Sequence, residues 1–94
     1  MFDAFNREIT IGDIIVRIYD WGPYNLSIID GQTPAGYLRT IAFKSDGEWY
    51  KGSTMKNGSN LIILDETLLR HHCSENEEEI QAYLEQHRLI KEQL

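Results

Sequence analysis

Ser74-Glu75-Asn76-Glu77-Glu78-Glu79-Ile80 is where this chain changes both its period and its charge. Before it, short apolar segments alternate with polar neighbours between Gly-containing turns, the pattern of β-strands. After it, Ile80, Tyr83, Leu84, His87, Ile90, Lys91 and Leu94 recur at spacings of three and four, one face of a helix. Ser74 reads as the N-cap, with Glu77 reaching back to its amide in a capping box, so the spacing predicts a helix over 75–92. Glu75, Glu77, Glu78 and Glu79 then lie at the positive end of the helix dipole. From Asp65 to Leu94 the chain holds eight acids against three bases; Met1 to Leu64 holds seven against six. A nearly neutral β body is expected to carry an acidic helix.

Working back from that helix, Arg7 to Tyr19 opens the sheet. Gly12-Asp13 interrupts it as a bend or bulge, and Ile14 to Tyr19 is β-branched enough to be a strand. Asp20-Trp21-Gly22-Pro23 ends it, making residues 20–24 a loop. Leu26–Ile29 is a second strand, closed by Asp30-Gly31. Tyr37–Lys44 is a third, with Leu38, Thr40 and Ala42 on one side and Tyr37, Arg39, Ile41 and Phe43 on the other. Ser45-Asp46-Gly47 is the strongest hairpin signal, and Glu48–Ser53 is the return strand. Lys56-Asn57-Gly58-Ser59 is a further turn. Leu61–Leu64 is apolar throughout and is expected at the centre of the sheet. A connector over 67–74, with a helical turn at Thr67–Arg70, leads to the helix.

Ninety-four residues make one domain, 1–94, with a β-rich body over 5–66. No apolar run approaches the ~18 residues that span a bilayer, so no membrane partner is expected. Met1–Phe5 is too short and too acidic for a signal peptide, and the lone Cys73 differs from the paired cysteines of small secreted domains. The expected location is the cytoplasm. A net charge of −6 argues against duplex nucleic acid, whose phosphates need clustered Lys and Arg.

Several side-chain groups are candidates for chemistry. His71-His72-Cys73, with His87, is the one metal-like cluster. Adjacent residues of an extended segment point to opposite faces, and no CxxC or HExxH spacing occurs, so neither a metal nor a cofactor is expected. Cys73 as a nucleophile would gain from a following helix N-terminus but lose to the glutamates beside it, and no Gly-rich loop is placed to form an oxyanion site. Asp46 with Glu48, and Asp65 with Glu66, read as solvated loop carboxylates. No enzyme is expected. Tyr37, Arg39, Trp49 and Lys51 could form a stacking platform for single-stranded nucleic acid or an extended peptide, although Trp49 or Tyr50, whichever faces inward, must anchor the core. Leu89 lies about half a turn from Ile80, which leaves room for a homodimer through the C-terminal helix.

Phe5-Asn6-Arg7-Glu8-Ile9-Thr10-Ile11-Gly12-Asp13-Ile14-Ile15-Val16, and later Lys56-Asn57-Gly58-Ser59-Asn60-Leu61-Ile62-Ile63-Leu64, resemble small accessory proteins of T-even-type bacteriophages. Those chains often open with a Gly-Asp-containing strand and close a small SH3-like barrel with an Asn-Leu-Ile strand. The resemblance covers residues 5–66 and leaves the acidic helix outside it. It implies a binding protein that acts on a host factor in the host cytoplasm. Taken together, the reading is a small α+β domain. About five strands form a strongly bent antiparallel sheet or SH3-like barrel, followed by one C-terminal helix. Its expected role is a non-enzymatic protein-binding module. The contact residues are Glu75, Glu78, Glu79, Glu85, Asp65 and Glu66, facing a basic host protein, and the sheet-face platform is the alternative.

Overall fold

The computed structural model describes residues 1–18, 25–43 and 46–94. The β-branched run Ile14–Arg17 forms β1, buried on both faces over its first three residues. It is followed by β2 (Asn25–Gln32), β3 (Leu38–Phe43), β4 (Trp49–Lys51), β5 (Leu61–Ile63), α1 (Glu66–His72) and α2 (Glu77–Glu92). Every pairing is antiparallel, and the order across the sheet is β4-β3-β2-β1-β5. β4 and β5 are therefore opposite edges of an open sheet. Of the two forms expected, the sheet is observed and the closed barrel is not.

The registers sort the side chains into two cores. Ile14 faces Ile28, and Ile28 faces Ile41, on the side covered by the helices. There Leu69, Cys73, Ile80, Tyr83 and Ile90 complete one cluster. On the other face Ile15, Ile29, Leu38 and Leu61 pack beneath Ile9 and Met55. Alternation along β3 follows the expected division, with Leu38, Thr40 and Ala42 buried and Arg39 exposed.

Four expectations need correction. Leu61–Leu64 is not central, because β5 is an edge strand. It can be apolar there because the N-terminal segment lies against its outer side. The Ala4 amide donates to the Leu61 carbonyl at 2.8 Å, the Arg7 guanidinium to the Ile63 carbonyl at 2.9 Å, and the Ile63 amide to the Asp3 carboxylate at 3.2 Å. The Phe2 carbonyl passes so close above Gly58 that any Cβ there would collide with it. The second strand does not stop at Asp30-Gly31. Its register shifts between Ile29 and Gly31, Asp30 is the extra residue of a bulge, and pairing resumes to Gln32. The expected turn at 67–70 is a complete short helix, α1. Ser74 does not cap α2: it has φ 51° and Glu75 has φ 63°, both left-handed, and the helix starts at Glu77 with Asn76 as its cap.

The Asp46-Gly47 turn joins β3 to β4, with Gly47 at φ 91° and the Asp46 carboxylate accepting from the Glu48 amide at 3.0 Å. Tyr19, the loop expected at 20–24, and Lys44 and Ser45 fall outside the described residues.

The Gly12-Asp13 bend fastens α2. Gly12 has φ 97°, a conformation that suits glycine, and its carbonyl accepts from His87 Nδ1 at 2.6 Å. Asp13 accepts from the Thr10 amide at 2.7 Å, and Lys91 reaches both Thr10 Oγ1 at 2.7 Å and the Asp13 carboxylate at 3.2 Å. His87, considered above with the metal-like cluster, is thus a hydrogen-bond donor between helix and sheet.

Candidate functional site

The acidic surface is built by the two helices and the reversal between them. Asp65 caps α1 by accepting from the Leu68 amide at 2.8 Å, and Asn76 caps α2 by accepting from the Glu79 amide at 3.3 Å. Ser74 and Glu75 still donate backward to the His71 and Arg70 carbonyls, closing the end of α1 before the chain turns. Arg70 ties the helices together through Glu66 at 3.3 Å and Glu77 at 2.6 Å. The Arg70 and Gln81 side chains hold the Glu77 carboxyl below the usual glutamate range. Further along, Arg88 sits between Glu85 and Glu92, the latter at 2.9 Å.

Arg70 and Arg88 are each shared by two carboxylates, so each trio keeps one net negative charge. Lys91 is turned onto Asp13 in the sheet. Asp65, Glu75 and Glu78 are exposed and have no ion pair among the described residues. Glu66 and Glu85 are also exposed, but each is engaged by an arginine. Glu79 differs from the rest of the predicted set: it is half-buried, beside Cys73 and Tyr83. The predicted contact set therefore divides into an outward group at the start of both helices (Asp65, Glu66, Glu75, Glu78), Glu85 two turns down α2, and a half-buried Glu79.

The alternative platform is not assembled. Trp49 packs beneath α2, its ring 5.3 Å from Phe43 and 5.0 Å, edge-on, from Tyr83. It is the core anchor of β4, and Tyr50 is the residue that faces out. Tyr37 precedes β3 at the far end of that strand from Trp49, with the Lys56 ammonium 5.5 Å from its ring. Arg39 extends over Gly31, and Lys51 is exposed on the edge strand.

Cys73 is buried; loss of solvent, then the charge and hydrogen bond of Glu79, push its thiol up to about 11. A thiol so shifted is protonated at neutral pH and a poor nucleophile. Among the described residues no group of three or more His, Cys, Asp and Glu converges to hold a metal ion.

The register that pairs Ile28 with Ile41 would next set Leu26 against Phe43. Instead the Tyr83 hydroxyl stands between them, accepting from the Phe43 amide at 3.0 Å and donating to the Leu26 carbonyl at 3.1 Å. Burial raises the Tyr83 phenol well above its ordinary pKa, so it stays a donor. A cleft of about 620 Å³ opens where β2 and β3 part, lined by Ser27, Thr40, Tyr50, Lys51, Glu79 and Tyr83 among others. Its walls mix both signs of charge and select no ligand class. No helical pattern in a sequence announces that a buried tyrosine will replace a ladder hydrogen bond.

With this geometry in hand, comparison with known proteins assigns no family: no family model, no curated protein and no solved structure matches the chain. No helix among the described residues is long and apolar enough to cross a membrane.

Proposed function

We propose that this chain is a non-enzymatic protein-binding module that docks its acidic helical surface on a basic surface of another protein. One observation carries the reading: every base between Asp65 and Leu94 is already engaged by a carboxylate, whereas exposed Asp65, Glu75 and Glu78 have no ion pair among the described residues. Such a surface attracts a cationic partner over about a Debye length, near 8 Å at physiological salt. The resemblance of residues 5–66 to phage accessory proteins makes that partner, in this reading, a host factor in an infected cell. A nucleic-acid-handling protein, whose own binding face is basic, fits best.

The test is capture from bacterial lysate by the immobilised wild-type chain and by Glu75→Lys/Glu78→Lys, at low salt and at about 0.5 M salt. Glu79 is left unchanged because its side chain is half-buried. The expected result is one basic protein retained by wild type at low salt, released at high salt and absent with the reversed charges. Equal recovery by both chains contradicts the reading.

A further inference from the structure

Asn57 is the only asparagine of this chain that precedes a glycine. In such a pair no side chain on the following residue hinders the approach of its backbone nitrogen to the asparagine side-chain carbon. The fold adds three conditions. Asn57 is exposed, so water and base reach it. Among the described residues the Gly58 amide donates to no acceptor, so no hydrogen bond holds that nitrogen back. Asn57 Oδ1 accepts from both the Ser59 amide at 3.2 Å and the Ser59 hydroxyl at 2.9 Å. Two donors thus converge on the oxygen that becomes negative when its carbonyl carbon is attacked, the arrangement of an oxyanion site.

We propose that Asn57 is a self-deamidation site whose isoaspartyl product loosens the N-terminal segment from β5. The Gly58 nitrogen gives its proton to hydroxide and bonds to Asn57 Cγ. Ser59 holds the resulting Oδ1 anion. Its collapse expels Nδ2, which takes a proton from water and leaves as ammonia, and a cyclic imide remains. Water then opens the ring. Breaking the Cγ–N bond yields aspartate. Breaking the bond between that nitrogen and the Asn57 backbone carbonyl carbon yields isoaspartate, whose main chain runs through Cβ and Cγ and is one atom longer. Aspartate keeps both Ser59 bonds, because a carboxylate oxygen accepts as the amide oxygen does. The longer main chain finds no slack at Gly58, where the Phe2 carbonyl and Ile9 leave no room even for a Cβ. Displacing Gly58 displaces Phe2, and with it Asp3 and Ala4, which cover β5. The site shares no residue with the acidic helical surface, so either inference can fail without the other.

Peptide mass spectrometry of the whole chain, aged in mildly alkaline buffer both folded and in urea, reads the reaction site by site. Asn57 is expected to convert faster in the folded chain than in urea. Ser59→Ala removes the hydroxyl donor and keeps the amide. It is expected to slow the folded chain about fivefold, the rate equivalent of one ordinary hydrogen bond, and to leave the rate in urea unchanged. The two products are then separated by chromatography and compared by amide hydrogen exchange. In the isoaspartyl chain the Ala4 and Ile63 amides are expected to exchange about tenfold faster than in the fresh chain, while Asn57→Asp matches the fresh chain. Slower conversion in the folded chain than in urea, an unaltered folded-state rate with Ser59→Ala, or an isoaspartyl chain whose Ala4 and Ile63 amides exchange as in the fresh chain would each overturn the proposal.

Discussion

Asp3 shows how much one side chain decides. Its carboxylate is buried and accepts from the Phe5, Arg7 and Ile63 amides and from the Arg7 guanidinium. Burial alone would raise its pKa, but those donors together outweigh it and hold the carboxyl below the ordinary value of 3.8. A carboxylate depressed in the folded state contributes stability that is complete above the unfolded value and is lost as pH falls through the lower, folded value. Asp3→Asn should therefore cost about 2 kcal/mol at neutral pH, since one amide oxygen cannot serve all four donors. Urea unfolding from about pH 6 to about pH 2 should show the gap between variant and wild type closing at the acid end. Nothing in Met1-Phe2-Asp3-Ala4-Phe5 foretold this. The partner Ile63 is sixty residues away, and an aspartate near a terminus reads as solvent-exposed.

At the scale of elements, the sequence offers two overlapping caps for one helix. Ser74 with Glu77 and Asn76 with Glu79 both have the spacing of a cap and its third helical residue. The choice falls to Asn76 because α1 runs on to His72, and residues 73–75 are needed to reverse the chain. The 67–70 turn was legible; the full helix that displaces the cap was not. Asn76→Ala should accordingly cost about 1 kcal/mol, and Ser74→Ala should cost little, by thermal or urea unfolding. A loss at Ser74 as large as at Asn76 would contradict the observed cap. Gly12-Asp13 precedes β1, Asp46-Gly47 lies between β3 and β4, and the alternation along β3 sorts its faces as the sequence indicates. The apolar run of β5 signals cover on both faces, yet the strand lies at an edge, because the N-terminal segment supplies there what central strands usually supply.

For the whole molecule, the sheet is clothed on both faces, by two helices on one and by the N-terminal segment with residues around Met55 on the other. Composition alone indicated the charge contrast between body and C-terminal region, because counting residues needs no coordinates. Which carboxylates remain unpaired depends on rotamers and on the approach of α1 to α2, which residue counts do not contain. Arg70 bridging Glu66 to Glu77 is the clearest case. The account rests on the outward carboxylates Asp65, Glu75 and Glu78 steering a cationic partner. Its most direct measurement is the association rate with the protein captured from lysate, followed as ionic strength rises, for wild type and Glu75→Gln/Glu78→Gln. A rate that falls steeply with salt for wild type and distinctly less for the neutralised chain is the predicted result; identical salt slopes for the two chains would contradict it.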